Sequence, residues 1–426
     1  MLPCRILAGD HMNQKPVLRA RWANKLSVLS VGFFLSMNLA QAEPYDSDAE
    51  SRLARIVGDV LPAVIAEHDR VPSPLTRRMA ELKVPAVSIA MVHGGKVEWA
   101  KGFGNTSIDG SRVSPDTLFQ AGSISKAVTA FAVLSLVQAG KLDLDTDVNQ
   151  YLKGWKIPAS QFTAGRAVTL RTLLTHTAGV TVHGFDGYPS GKRLPTLLQI
   201  LNGAPPANSP PIVVDTRPGT LWRYSGGGYV IIQMILQDVT GKPFAQFMQK
   251  EVLNRLGMSH STFAQPLPTA LKPYAAQPYD EKGMGYSGGA YTYPEMAAAG
   301  LWTTPSDLAK FVLSIQASLA DKPEGILQKA TVEEMLKRGG LGNWGLGLQL
   351  GGSNDKPFFQ HGGADTGFIS FLIGYNHGDG FVIMTNGMNG GMINNEVLRA
   401  VAREYAWPNY QPKVAPSTPI PESGTP

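Results

Sequence analysis

Ser123 and Lys126 place a hydroxyl and an amine three residues apart at the start of an apolar segment, and Lys126 is the only formal charge between Asp116 and Lys141. Residues at this spacing share one face of an α-helix, and a helix that is apolar on all sides is buried. Burial favours the neutral form of an unpaired amine, which can then accept the proton of a neighbouring serine. Ser123 and Lys126 are therefore candidates for a nucleophile and its general base.

The spacing alone is a weak signal, because a chain of 426 residues contains about one or two S-x-x-K matches by chance. Ser353 and Lys356 fit the same pattern, but they follow two glycines and precede Pro357, which is typical of a polar turn. A structural alternative also exists for the first match. Ser123 can cap the helix, with the amine of Lys126 extending to the surface.

Tyr224 is a second candidate for proton transfer. It follows Pro218-Gly219 and precedes the three glycines Gly226 to Gly228, a composition that predicts a loop where backbone can approach a ligand closely. Its phenol can relay a proton between a nucleophile and a leaving group. The alternative is a turn that carries a half-buried aromatic ring.

The third candidate element is His361-Gly362-Gly363-Ala364, at the predicted end of a strand. We expect a turn at the two glycines, which leave the strand edge bare so that a backbone N–H can face a substrate oxygen. A single histidine at a strand end is usually structural.

Predicted strands lie near both ends of the chain, and predicted helices lie between them. The strands cover 86–92, 97–100, 345–350, 358–360, 368–375 and 381–385. This order indicates an α+β fold in which one antiparallel sheet is built from both chain ends, flanked by helices, with an inserted mainly helical domain. We expect a sheet domain from 43–115 plus 296–407 and a helical domain from 116–295.

The two ends of the chain have special compositions. Residues 1–42 combine a basic start, an apolar stretch and the small-x-small site Ala40-Gln41-Ala42, which predicts a cleaved signal peptide. The protein is then periplasmic or secreted, with no stable membrane anchor after cleavage. Residues 408–426 are proline-rich and predicted to be disordered.

Charge and metal-ligand composition exclude several classes of protein. The net charge is +5, and about +4 of it lies in residues 1–42, so no basic block argues for nucleic acid. The only cysteine, Cys4, lies in the segment predicted to be removed, which excludes cysteine catalysis and Cys-zinc or Fe–S sites. The histidines form no H-E-x-x-H motif. We expect no metal and no cofactor, and we interpret His176 and His183 as loop or structural residues.

Gly285 to Gly289 match G-x-S-x-G, the nucleophile elbow of α/β-hydrolases, with Ser287 as the alternative nucleophile. That elbow requires a buried strand before it and a helix after it. Prolines and charged residues precede this match, so the sequence context does not favour it.

In chain order, S-x-x-K at Ser123, Tyr-Ser-Gly at Tyr224 and His-Gly-Gly at His361 resemble the serine beta-lactamase-like superfamily. Its members include class C beta-lactamases, DD-peptidases, D-aminopeptidases and family VIII carboxylesterases. The resemblance covers roughly residues 75–405. Further local matches occur at 119–122, 173–179, 256–258 and 299–308.

The resemblance implies that Ser123 is the acylated nucleophile, Lys126 its activating partner and Tyr224 the third catalytic group. It also implies an oxyanion hole formed by the backbone N–H groups of Ser123 and Ala364. Whether Lys126 or Tyr224 accepts the first proton stays open.

The implied substrate-binding positions are Gly226, His361, Gly362 and Gly363, and here the chain departs from the superfamily. Class C beta-lactamases usually have Asn at the position of Gly226 and Lys-Thr-Gly at the position of His361 to Gly363. An imidazole is mostly neutral near pH 7, so the lysine charge that would hold a substrate carboxylate is absent.

The resemblance implies a serine hydrolase that forms a covalent acyl-enzyme with a small ester, amide or peptide, of carboxylesterase or D-amino-acid peptidase type. Two alternatives remain. One is a beta-lactamase, and the other is a penicillin-binding sensor or cell-wall binding module that is acylated without turnover.

Overall fold

A computed structural model of the chain describes residues 47–66 and 71–415. The strands are β1 (Val64–Ala66), β2 (Ala86–His93), β3 (Lys96–Gly104), β4 (Phe119–Gln120), β5 (Trp302–Thr303), β6 (Gln349–Gly352), β7 (Pro357–Asp365), β8 (Phe368–Tyr375), β9 (Gly380–Thr385) and β10 (Lys413–Ala415). The helices are α1 (Ser47–Gly58), α2 (Leu75–Glu81), α3 (Ile124–Gln138), α4 (Leu170–Leu174), α5 (Leu197–Asn202), α6 (Gly226–Thr240), α7 (Phe244–Met248), α8 (Met296–Ala299), α9 (Pro305–Leu319), α10 (Lys329–Met335) and α11 (Gly390–Glu404).

The main sheet has six antiparallel strands in the order β3-β2-β9-β8-β7-β6. Strands β2 and β3 come from the first quarter of the chain, and the other four come from the last fifth. Helices α3 to α10 lie between them in sequence. The predicted α+β fold, with one sheet built from both chain ends, is therefore confirmed.

Helices cover both faces of this sheet because successive side chains of a strand point to opposite faces. Along β2, Val87, Ile89 and Met91 face a core shared with α1 and α11. Ala90 and Val92 face the opposite side, where α9 packs. A strand that is buried on both faces has a nearly continuous apolar sequence, and residues 86–92 have such a sequence.

Helix α3 is the buried centre of the helical part, and twelve of its fifteen residues are buried. It packs against α8 and against the sheet at β7 and β8. The start of α3 therefore brings Ser123, which precedes the helix, and Lys126 to the junction between the helical region and strand β7.

The expected turn at Gly362 and Gly363 is wrong. Strand β7 continues through both glycines to Asp365 and pairs with β8 over Phe358 to Asp365. A Cβ at Gly363 would collide with the carbonyl oxygen of Ala121. The glycine permits close packing of the strand against the start of α3 and not a reversal of the chain.

The three glycines after Tyr224 also differ from the expected loop, because they form the first turn of α6. The Ser225 side chain caps this helix by accepting the Gly228 N–H at 3.0 Å. A Cβ at Gly227 would lie 2.5 Å from the carbonyl oxygen of Thr181, so a small residue is needed for this close approach. Tyr224 itself lies in the non-helical segment 221–225 before the helix, so the predicted loop at this residue is confirmed.

The first residues of the tail that the sequence predicts to be disordered, 408–426, also differ from that prediction. Strand β10 pairs in parallel with β1, so residues 413–415 are part of a small two-stranded sheet. Residues 416–426 and the predicted signal peptide, 1–42, lie outside the described residues. The proposed domain boundaries stay a prediction. Within 47–66 and 71–415, no helix combines the length and apolar character needed to cross a bilayer.

Candidate active site

Ser123 immediately precedes α3 and is partly exposed. Its side chain makes no capping hydrogen bond to the helix backbone. Instead, its Oγ accepts a hydrogen bond from Lys126 Nζ at 2.9 Å. The hydroxyl is therefore held by the amine of its own helix and not by the helix terminus.

The Lys126 amine is buried, since only 1% of the residue is exposed. Besides Ser123, its Nζ donates to the carbonyl oxygen of Ala298 at 2.8 Å. The same nitrogen lies 5.0 Å from the centre of the Tyr224 ring and 5.8 Å from that of Tyr229. The alternative in which Lys126 extends to the surface does not describe this molecule.

Burial lowers the pKa of Lys126 to about 7, and the nearby Asp365 carboxyl acts in the opposite direction. Removal of the amine from water disfavours its charged form, which is why the pKa falls from the ordinary value for lysine. Near neutral pH a large fraction of Lys126 is then neutral. In that form the 2.9 Å contact can run in the opposite direction, with the Ser123 O–H donating to the Nζ lone pair while Nζ still donates to Ala298.

This pKa predicts the acid limb of the pH–rate profile. If neutral Lys126 is the base, kcat/KM should rise with pH through a midpoint near 7 and fall about tenfold per pH unit well below it. Steady-state ester hydrolysis from about pH 5.5 to 8.5 measures this limb. A profile that is flat across that range would contradict assignment of the limb to Lys126.

Tyr224 packs within a cluster of aromatic and imidazole rings. Its ring centre is 5.8 Å from Trp344 and 6.3 Å from His361. Burial raises the pKa of Tyr224 above its ordinary value, and a hydrogen-bonding interaction with the Ser123 side chain opposes that rise. The phenol therefore keeps its proton at neutral pH and lies next to the Ser123 hydroxyl.

The β7 strand forms the opposite wall of the site. Strand β6 pairs only with Pro357 to Gln360 of β7, so the second half of β7 has no β6 partner on that edge. Ala364 in this half is exposed, and a Cβ at Gly122 would lie 2.5 Å from the Ala364 amide nitrogen. The backbone of Ala364 is thus adjacent to the residue that precedes Ser123.

His361 lies in the middle of β7 and is buried, with 3% of the residue exposed. Its Nδ1–H donates to the Gly362 carbonyl oxygen at 2.6 Å. Burial, with the Lys126 charge as a second cause, lowers the pKa of His361 to about 3. The imidazole is therefore neutral at ordinary pH and supplies no cation.

Gly226, Gly362 and Gly363 occupy different environments. Gly362 is exposed on β7, whereas Gly363 is buried against Ala121. Gly226 is buried, and a Cβ there would lie 3.0 Å from the Phe185 ring. Phe185 thus takes part of the space that a side chain at position 226 would need.

Two buried acids near the site had no signal in the sequence. Asp365 ends β7 and Glu295 precedes α8, and both are at most 5% exposed. Burial raises the pKa of Glu295 to about 7 and raises that of Asp365 as well, although Lys126 opposes the rise at Asp365. Charged residues at element ends are usually solvated, so only the tertiary structure identifies them.

The sequence predicts that His176 is a loop or structural residue. In the structure it is buried, and its ring centre lies 4.2 Å from that of Tyr224. Trp222 and Trp344 join the same cluster, each within 6.2 Å of His176. Trp302 is outside this cluster and packs against Phe368 in the core. The local pattern Thr175-His176-Thr177, a match to the superfamily, was the available signal for His176.

The alternative serines lack such surroundings. Ser287 and Ser353 are both exposed. Ser287 is followed by two glycines with positive φ, and the next helix, α8, begins only at Met296. The strand–elbow–helix context of an α/β-hydrolase nucleophile is therefore not present around Ser287.

Comparison with known proteins identifies the relationship that this geometry suggests. A family model described as Beta-lactamase matches residues 74–405. The chain belongs to the Beta-lactamase family. The chain is similar to "Protein flp" of Staphylococcus aureus (strain N315), with 26% identity over 322 residues and 71% of this chain and 60% of flp covered. The "Putative penicillin-binding protein PbpX" of Bacillus subtilis (strain 168) is 24% identical, with 74% of each chain covered.

Solved structures with the same fold include an octameric penicillin-binding protein homologue from Pyrococcus abyssi, with a TM-score of 0.65, 24% identity and coverage of 78% of this chain and 76% of that chain. A D-amino acid amidase from Ochrobactrum anthropi SV3 has a TM-score of 0.64, 20% identity and coverage of 84% and 100%. These likenesses confirm the beta-lactamase-like fold, and the family match over residues 74–405 confirms the resemblance seen in the sequence. The chain spans only about 60% of the length of flp.

Proposed function

We propose that the protein is a serine hydrolase that forms an acyl-enzyme at Ser123 and acts on small esters or amides. The observation that carries the proposal is the 2.9 Å contact between Lys126 Nζ and Ser123 Oγ, with the amine buried and its pKa lowered to about 7. A nucleophile beside a base that is neutral at the working pH is the requirement for acyl transfer.

In the proposed mechanism, neutral Lys126 accepts the Ser123 proton while Oγ bonds to the substrate carbonyl carbon. The backbone N–H groups of Ser123 and Ala364 stabilise the negative charge that develops on the carbonyl oxygen. The proton then passes from the Lys126 ammonium through the Tyr224 hydroxyl to the leaving group. Water releases the acyl group by the same steps in reverse.

The raised pKa of Tyr224 supports this order of proton transfers. A phenol that holds its proton tightly is a poor first acceptor, whereas a relay accepts one proton as it donates another. We therefore assign the first proton to Lys126 and the relay to Tyr224.

For the substrate, we propose uncharged acyl groups of the carboxylesterase or D-amino-acid peptidase type. The neutral His361 supplies no charge for a carboxylate, and Trp222 and Trp344 offer apolar surface beside Tyr224. A solved structure of the same fold is a D-alanine carboxypeptidase AmpC from Burkholderia cenocepacia, which makes D-amino-acid substrates a reasonable class to test. We also propose export, on the strength of the signal sequence.

The test compares two esters with the same leaving group, nitrophenyl butyrate and the nitrophenyl monoester of glutarate, which carries a carboxylate. We expect repeated turnover of both and a ratio of kcat/KM that stays constant from about pH 5.5 to 8.5, because His361 remains neutral throughout. Stopped-flow release of nitrophenol over several enzyme equivalents measures both quantities.

Two results would replace this proposal. Release of one equivalent without turnover would favour the penicillin-binding sensor. A kcat/KM for nitrocefin far above that of either ester would favour the beta-lactamase.

A further inference from the structure

His176 follows α4 and is buried at 2% exposure, with a positive φ of 59° that a non-glycine residue seldom adopts. Thr175 caps α4, and its Oγ1 donates to the Arg171 carbonyl oxygen at 2.8 Å. The unusual backbone turns both the carbonyl and the ring of His176 towards the segment that contains Tyr224.

His176 contacts both chain neighbours of Tyr224. Its carbonyl oxygen accepts the Arg223 N–H at 2.8 Å, and its Nδ1 accepts the Ser225 N–H at 3.2 Å. Its ring lies against the Tyr224 ring, with centres 4.2 Å apart and planes inclined by 35°. One residue thus holds the backbone on each side of the phenol and supports the ring between them.

We infer that His176 is the positioning residue for Tyr224, and that its Nδ1 bond to the Ser225 N–H holds the phenol within reach of Ser123 and Lys126. This inference rests on the proposed function, since Tyr224 must transfer a proton for its position to matter. Small displacements of a reacting group are costly: a shift of about 1 Å can reduce a rate about 10²-fold.

The hydrogen bond requires the neutral ring with its proton on Nε2, because Nδ1 acts as the acceptor. Protonation at Nδ1 would replace this acceptor by a donor that faces the Ser225 N–H. Burial, followed by the Lys126 charge, holds the pKa of His176 well below its ordinary value. The acceptor is therefore maintained across the pH range in which Lys126 titrates.

A purely structural role would have the ring fill space among Tyr224, Tyr229 and Trp344. Asn and Leu have nearly the same shape, and the Asn side-chain oxygen can take the position of Nδ1. Because Asn tolerates the positive φ of position 176 better than Leu does, His176→Gly, which adopts this φ without strain and has no acceptor, is the third variant and should be as slow as His176→Leu. His176→Asn and His176→Leu both remove the ring, but only His176→Asn keeps the acceptor.

The experiment measures the rate of fluorophosphonate adduct formation at Ser123 and the kcat and KM for nitrophenyl butyrate. We expect His176→Leu to have a kcat about tenfold or more below that of His176→Asn, with KM values within about threefold. When Tyr224→Phe is also present, the kcat values of His176→Asn and His176→Leu should differ by less than about threefold, because no phenolic proton remains to be positioned.

Equal rates for His176→Asn and His176→Leu would overturn the inference, as would an undiminished difference in the Tyr224→Phe background. Thermal unfolding of each variant shows whether it is folded. If His176→Leu does not fold, His176→Phe is compared with His176→Asn in its place. Phe keeps a ring but has no acceptor. Ser123→Ala in the same assay distinguishes failure of the proposed function from failure of the inference about His176. Retained turnover in Ser123→Ala refutes the proposed function. Lost turnover in Ser123→Ala, together with equal kcat values for His176→Asn and His176→Leu, refutes only the role of His176.

Discussion

Ser123→Ala should abolish ester turnover, with a loss in kcat of about 10⁴-fold or more, because the substituted side chain has no oxygen to attack the substrate. The substitution removes one partly exposed oxygen atom and leaves the buried core of α3 intact. The fold should therefore persist while chemistry stops. Steady-state hydrolysis of nitrophenyl butyrate by the purified full chain measures the loss.

Two matched controls are present in the chain. Ser353→Ala removes the serine of the second S-x-x-K pattern, and Ser287→Ala removes that of the G-x-S-x-G pattern; both serines are exposed. Each variant should keep most of the activity. Mass spectrometry should find the fluorophosphonate adduct on the peptide that contains Ser123, and an adduct on Ser287 would refute the assignment.

Lys126→Met and Tyr224→Phe should each lower kcat by about 10³-fold, within the range typical of general acid–base catalysis. Met fills much of the volume of the buried lysine without an amine, and Phe keeps the ring that packs against His176 and Trp344. If the two residues act as one proton-transfer unit, the double variant should be little slower than either single variant.

Lys356→Met and Tyr274→Phe are the corresponding controls, because both residues are exposed and outside the site. They should retain nearly normal kcat. Full additivity of Lys126→Met and Tyr224→Phe would argue against a shared role. A Tyr224→Phe variant with normal kcat would assign that phenol to packing alone.

The sequence alone was sufficient for the features that depend on short-range geometry. Ser123 and Lys126 are one helical turn apart, so any α-helix over this segment brings their side chains together. The strands at 86–92, 368–375 and 381–385 were recognisable because both of their faces are buried, which requires a continuous apolar run. The order of strands and helices then indicated the α+β fold.

Glycine-rich segments were misjudged because glycine is compatible with several backbone conformations. Gly362 and Gly363 were expected to form a turn, and Gly226 to Gly228 a loop. Pairing of β7 with β8 and packing of α6 against 181–185 decided their conformations instead. Both contacts join segments distant in sequence, so no local pattern contains them.

The apolar helix already indicated a neutral Lys126 amine, but only the tertiary structure identified the groups that set the electrostatics of the site. The pKa of Lys126 is lowered by burial, and its amine is held by Ala298, a residue 172 positions away. Asp365, which opposes that shift, comes from a strand near the other end of the chain. Likewise, His176 meets Tyr224 across 48 positions, from 176 to 224. A side chain's spacing in sequence specifies its helix face, but its solvation and its long-range partners exist only once the chain has folded around it.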